Sequence, residues 1–238
     1  MLNIYVTSPL RKSGKTIIST GLSATLQSLG YSTGLYKPIQ IGGLEKNGFT
    51  QSPVITYVKS IDPYINSQFT YLFKSDSEPL LASEDENEFI DTDLIDIEYK
   101  KIASTTDCTI IDGEGGLMSP ISPNILSIDL IKKLQLPILI VTTPNKDAIS
   151  STLSSIYCAL EREIEIRGVI INNVEENCSK AELTGLSRVI EEYTNVKILG
   201  LVQHINDTLS PQDLISACLN GIDIESVFDV KIEKLDLD

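Results

Sequence analysis

The chain has 238 residues and a formal net charge of −14, enough length for one large domain whose core needs no disulfide or metal staple. That charge excludes nucleic acid, because a phosphate backbone calls for a basic face; the partner expected is a small molecule, with any phosphate held locally by backbone amides and a few lysines. Cys108, Cys158, Cys178 and Cys218 are widely spaced, form no CxxC pair and have only His204 as a histidine companion, a pattern of reduced and mostly buried thiols rather than of a zinc site.

The apolar run at the N-terminus is too short for a signal peptide and no segment approaches bilayer length. A cytoplasmic location and no membrane contact are therefore expected. Short Ile-, Val- and Leu-rich runs recur at Leu2 to Val6, Cys108 to Ile111, Pro137 to Val141, Gly168 to Ile171 and Val196 to Val202. None alternates strictly, which is how a strand covered on both faces reads, and helix-like stretches separate them. The first helix is predicted over Lys15 to Leu29, with Ile18, Leu22, Leu26 and Leu29 on one side and Gly30 ending it.

Strand alternating with helix predicts an α/β fold: a doubly wound, mostly parallel sheet flanked by helices, in one domain over residues 1–238. Ligands of such sheets sit at the carboxyl ends of the strands. That rule selects the loops Ser8 to Thr16, Lys37 to Gly43, Asp112 to Ser122, Thr142 to Asp147 and Asn172 onward. The acidic stretch from Asp76 to Glu98 reads as a solvated loop followed by an acidic helix face, since it lacks the spacing and Gly turn of a calcium loop. The tail 221–238 alternates apolar and charged residues, which predicts a peripheral strand or an oligomer contact.

The first loop carries Lys12-Ser13-Gly14-Lys15-Thr16 between a strand and a helix start, the context that separates a phosphate loop from a helix that happens to begin with these residues. Unpaired amides and the helix dipole favour an anion there. Lys15 is placed to reach the terminal phosphates and Thr16 to ligate magnesium. The strict Walker pattern fails, because Pro9 stands where it asks for glycine; Pro9 fixes φ and withholds an amide, and Arg11 and Lys12 compensate by charge. A second loop, "YKPIQIGG", pins Lys37 at a strand end. A third, "IIDGEGGLMSPIS", puts Asp112 at the end of a buried strand, the Walker B place for a magnesium carboxylate, followed by glycines that let a ligand approach the backbone.

Taken with the "GVIINN" segment, these motifs resemble the dethiobiotin synthetase family in order and spacing to about Leu201. The resemblance implies a P-loop NTPase-like fold and a homodimer with sites near the subunit interface. It implies ATP as co-substrate, Mg2+, and a diamine and CO2 as substrates: 7,8-diaminononanoate forms a carbamate, ATP phosphorylates it, and the second amine closes the ureido ring. It makes Lys12, Ser13, Gly14, Lys15, Thr16 and Asn172 the nucleotide-binding residues, Asn172 reading adenine. Thr16 and Asp112 become metal ligands, Lys37 and Lys15 catalytic, and Lys37, Gly115, Gly116, Asn145 and Ser150 substrate-binding. A further metal carboxylate is implied near Ser52-Pro53-Val54, where this chain has none. The alternative reading is a nucleotide-binding regulatory module of the same superfamily without ligase activity.

Overall fold

The structure, a computed structural model, describes residues 2–175, 178–205 and 210–231. In chain order it runs β1 (Leu2–Thr7), α1 (Lys15–Ser28), β2 (Thr33–Gln40), a β3–β4 hairpin (Leu44–Lys46, Phe49–Gln51), α2 (Pro53–Ile61), β5 (Asn66–Leu72), α3 (Pro79–Asp85), α4 (Thr92–Ala103) and β6 (Cys108–Asp112). The second half contains β7 (Pro120–Ser122), β8 (Ile125–Leu126), α5 (Ser127–Leu134), β9 (Ile138–Thr142), α6 (Ala148–Glu161), β10 (Ile166–Val174), α7 (Lys180–Thr194), β11 (Ile198–Gln203), α8 (Pro211–Gly221) and α9 (Ile224–Phe228).

Seven strands form one sheet in the order β11-β10-β9-β1-β6-β2-β5, and every pairing in it is parallel. The missing alternation in the strand sequences has a direct cause: both faces are covered. Ile4, Val6, Ile110, Leu139, Val141 and Ile170 pack with Ile18, Leu22 and Leu26 of α1 and with Leu214 and Cys218 of α8. Tyr5, Ile111, Ile138, Ile140, Val169 and Ile171 pack on the opposite face against Ile128, Ile131, Ile156, Leu186 and Ile190. Side chains that point alternately up and down along each strand thus all meet apolar partners. Because all seven strands run the same way, the loops after β1, β2, β5, β6, β9 and β10 gather at one edge.

Three expectations need correction. Lys37 lies within β2, paired with Phe69 of β5, and not in the loop after that strand. The tail is not a peripheral strand at residues 222–230: Asp223 accepts from the Ser226 N–H at 3.1 Å, and Ile224, Val227 and Phe228 of α9 are buried in the core. Their i, i+3, i+4 spacing makes one apolar helical stripe, which outweighs the local alternation. Residues 232–238 lie outside the described residues. The acidic stretch is also more ordered than a loop plus one helix, since α3 precedes the acidic α4 and Pro79 opens α3 at its first turn. Among the described residues, no group of His, Cys, Asp or Glu could hold a metal ion by itself. All four cysteines are free, Cys108 and Cys218 buried and the other two half-buried. No described helix is long and apolar enough to cross a membrane.

Candidate active site

The loop after β1 turns into α1 through Gly14, whose φ of 82° lies in the left-handed region that glycine adopts without a Cβ clash. No side chain caps α1 and its first turn holds no acid, whereas Ser52, Ser179 and Ser210 cap α2, α7 and α8. The leading amides of α1 are left for an anion. Asn172, 3 % exposed, comes from the end of β10 and donates its amide to the Ser13 carbonyl at 2.9 Å. It props the loop from beneath and leaves no room at Gly14, where an added Cβ would lie 2.0 Å from Asn172 Nδ2. At the other end of the loop, Ser8 Oγ donates to the Leu10 carbonyl at 2.7 Å and accepts the Leu10 N–H at 3.1 Å, so a serine closes the turn ahead of Pro9.

Lys37, Asp112 and Thr16 converge as the sequence predicts. Thr16 Oγ1 donates to Asp112 Oδ2 at 2.8 Å, and Lys37 Nζ stands 3.3 Å from the same oxygen and 3.0 Å from Glu114 Oε2. The ammonium also donates to the Gly113 carbonyl at 3.1 Å. Burial works against its charge, but Asp112 and then Glu114 outweigh that and raise its pKa above the ordinary lysine value. Lys15 is half-buried beside this group, and its pKa is lowered, first by burial and then by Lys37. Tyr5 packs under the Gly113 turn, its phenol pushed up to about 12 chiefly by burial.

Two cavities flank the loop. One of about 430 Å³ is lined by Lys12 to Ile17, Lys37, Gln40, Ile41, Val54, Asp76 and Glu114. The other, about 480 Å³, is lined by Pro9, Arg11, Glu78, the Gly115 to Pro120 segment, Ser151, Ser154, Ser155 and Cys158. Both have the size of a small-molecule site. Arg11 and Lys12, consecutive in the chain, divide between them, and so do Gly115 and Glu114. The second cavity begins where the first one ends.

Gly115, with φ of 65°, packs on Ser119, where an added Cβ would lie 2.1 Å from Oγ. Ser119 Oγ in turn accepts the Gly116 N–H at 3.2 Å and donates to Glu78 Oε2 at 2.8 Å, tying the glycine loop to the start of α3. Gly115 and Gly116 thus stand in the cavity wall. Asn145 and Ser150 are not beside them: Asn145 borders separate hollows near Cys178 and Glu182, bonded to Thr143 Oγ1 at 2.9 Å. Ser150 is exposed, and its neighbours on α6, Ser151, Ser154 and Ser155, reach the cavity in its place. The helical turn decides this, because residues 151, 154 and 155 share a face that 150 does not.

Several residues of the site went unassigned in the sequence. Glu114 lies inside the "DGEGG" motif and was legible there as a second carboxylate. Ser19, one turn into α1, donates to Asp112 Oδ1 at 3.3 Å, three residues after Thr16 and hence on the same face. Ser119 lies in the selected loop Asp112 to Ser122 without being singled out there, and Asp76 and Glu78 lie in the acidic stretch, which was read as a solvated loop. Near Ser52 the chain offers no carboxylate; Ser52 caps α2 by accepting the Ile55 N–H at 3.1 Å and donates to Gln40 Oε1 at 3.3 Å.

The family described as AAA domain matches residues 2–212. Among curated proteins, the chain is 29 % identical to the ATP-dependent dethiobiotin synthetase of Nitrosopumilus maritimus over 95 % of this chain and 99 % of that protein. It is 24 % identical to the enzyme of the same name from Bacillus cereus strain G9842, over 95 % and 93 %. Among solved structures it resembles the septum site-determining protein MinD of Pyrococcus horikoshii, in complex with Mg-ADP, at a TM-score of 0.57 and 14 % identity, over 98 % of this chain and 91 % of that one. A ParA family ATPase from Chlorobium tepidum gives a TM-score of 0.57 at 15 % identity, over 99 % and 98 %. These structural likenesses concern the fold.

Proposed function

The chain belongs to the AAA domain family, and from that premise we propose that it is an ATP-dependent dethiobiotin synthetase, closing the ureido ring of 7,8-diaminononanoate with CO2. The observation that carries the reading is Lys37, a buried cation in the wall of the smaller cavity, held by Asp112 and by Glu114, whose neighbour Gly115 lines the larger one. The names of the sequence relatives support the same chemistry.

In this reading the smaller cavity takes the triphosphate of ATP, on the α1 amides and Lys15, and the larger takes the diamine. One amine adds to CO2, forming an N–C bond and losing a proton. The carbamate oxygen then attacks the γ-phosphorus and ADP leaves. Finally the second amine attacks the carbamate carbon, the ring closes and phosphate departs. No side-chain nucleophile is required; positioning and charge neutralisation suffice.

Lys37 serves as a fixed cation rather than a base, because its two carboxylate neighbours keep it protonated. It lies where carbamate and γ-phosphate must approach one another. Lys15, whose charge is disfavoured by burial and by Lys37 until an anion arrives, gains most from the triphosphate. The hydroxyl of Thr16 and the carboxylate of Asp112, 2.8 Å apart, are hard oxygen donors that suit Mg2+; bound there, the ion would neutralise phosphate charge. Lys12, Ser13 and Gly14 supply the loop around the phosphates. Asn172 joins the nucleotide site as the prop of that loop, and its role with adenine belongs to this proposal. Asn145 and Ser150, outside the two cavities of their own chain, serve the diamine only from across a homodimer interface.

Purified protein incubated with 7,8-diaminononanoate, bicarbonate, Mg2+ and ATP is expected to release phosphate only when the diamine is present, and to yield the ureido product. Absence of both rejects the ligase. Nucleotide binding by calorimetry without turnover would assign the chain to the regulatory-module alternative instead.

A further inference from the structure

Two carboxylates line the smaller cavity, Glu114 and Asp76, and of these Glu114 has a partner while Asp76 has none among the described residues. Asp112 and Glu114 are bound to Lys37, and Asp112 also accepts from Thr16 and Ser19. Asp76, in the loop after β5, lines the same cavity, yet its carboxylate makes no hydrogen bond or ion pair among the described residues. Its backbone is by contrast firmly held. The Asp76 carbonyl accepts from Arg11 Nη1 at 3.3 Å and the Ser77 carbonyl from Arg11 Nη2 at 3.4 Å, while the Ser75 carbonyl accepts the Gly42 N–H at 2.9 Å. The phosphate loop and the turn after β2 therefore grip the chain on either side of a free carboxylate.

A second observation marks the cavity as built for a ligand. The hydroxyl of Ser13, in the same lining and 2 % exposed, has no hydrogen-bond partner among the described residues. Buried hydroxyls are rarely left so; a phosphate oxygen would satisfy it.

A free carboxylate facing a triphosphate site repels the nucleotide unless a cation stands between them. Mg2+ on nucleotides is commonly held by one or two carboxylates, phosphates and several retained waters. We propose that Asp76 is the second carboxylate of the magnesium site, where with Thr16 and Asp112 it would hold the ion through its water shell, and that Arg11 positions it by holding its loop to the phosphate loop. The proposal rests on the nucleotide site described under Proposed function.

Mn2+ serves as the probe, titrated by electron paramagnetic resonance into protein saturated with a non-hydrolysable ATP analogue, and nucleotide affinity is measured separately without metal. Asp76→Asn is expected to weaken Mn2+ binding about tenfold, the lower end of the effect of losing an outer-shell partner, and to leave metal-free nucleotide affinity equal or tighter because an anion has gone. Asp76→Glu retains most of the metal affinity, and Asp112→Asn loses it. The side chain is exposed, so circular dichroism should register no change of fold. Unchanged Mn2+ affinity in Asp76→Asn, with loss in Asp112→Asn, overturns the proposal and spares the nucleotide site. An equal loss of metal-free nucleotide affinity also overturns it, since that is damage to the loop. Wild-type protein that binds neither nucleotide nor Mn2+ sinks both readings together.

Discussion

Lys37, inside β2, and Asp112, at the end of the neighbouring parallel strand β6, stand 3.3 Å apart, with side chains 3 % and 0 % exposed. Such a pair contributes little net stability when intact, yet breaking it strands a buried charge, at a cost of about 3–5 kcal/mol. Lys37→Met is therefore expected to lower stability by that order and to abolish turnover. Lys37→Met with Asp112→Asn should recover much of the stability and none of the activity. Chemical denaturation of the two variants beside an activity assay checks both halves, and a Lys37→Met protein as stable as wild type would contradict the ion pair.

The two lysines have opposite pH signatures. Lys37 has a raised pKa, so its contribution to stability is fully present below the ordinary lysine value of 10.5 and is lost only as pH rises through its higher folded value. Lys15 has a lowered pKa, so below 10.5 the unfolded chain binds its proton more readily and the folded state carries a penalty. Lys15→Met should accordingly raise the melting temperature of the ligand-free protein at neutral pH, by a margin that shrinks as pH approaches 10.5, while removing nucleotide affinity. Thermal melts across pH 7 to 10.5 test the sign. A Lys15→Met variant less stable than wild type at pH 7 would show that the lysine supports the empty fold.

Gly14 is constrained twice, by its φ of 82° and by Asn172. Gly14→Ala is expected to cost about 1–2 kcal/mol for the left-handed backbone alone, plus the displacement of Asn172 from the Ser13 carbonyl. Asn172→Ala introduced beside it removes the collision and should restore part of the stability, but not nucleotide affinity, because the loop has then lost its prop. Additive losses in the double variant would mean that the two side chains do not meet.

At Gly115 an added methyl pushes on Ser119, the residue that joins the glycine loop to Glu78. Gly115→Ala should suppress diamine-dependent phosphate release while leaving nucleotide affinity nearly intact, because Gly115 borders the larger cavity and not the smaller one. Steady-state kinetics beside nucleotide titration distinguishes this from general damage; parallel losses in both would count against a division of labour between the cavities.

Much of this protein is local in origin and so was readable from residue order alone. Buried parallel strands declare themselves by unbroken Ile and Val runs, since both of their faces meet apolar partners. Gly14-Lys15-Thr16 after such a run marks a candidate anion site, since its chemistry lies in a few consecutive amides and side chains. Asp112 was identifiable as a strand-end residue, and the crossover rule already puts strand ends on one edge; Lys37 was expected there too and lies instead inside β2. Tertiary structure decided what depends on neighbours far apart in sequence: that Glu114 shares Lys37 with Asp112, that Asn172 braces the phosphate loop, and that Ser151 rather than Ser150 turns toward the second cavity. It also brought Asp76 to the phosphate cavity through Arg11, 65 residues away, and turned the alternating tail into a core-packed helix. No pattern within a short window encodes these contacts, because each is set by how strands are ordered in the sheet and by which face of a helix that order covers.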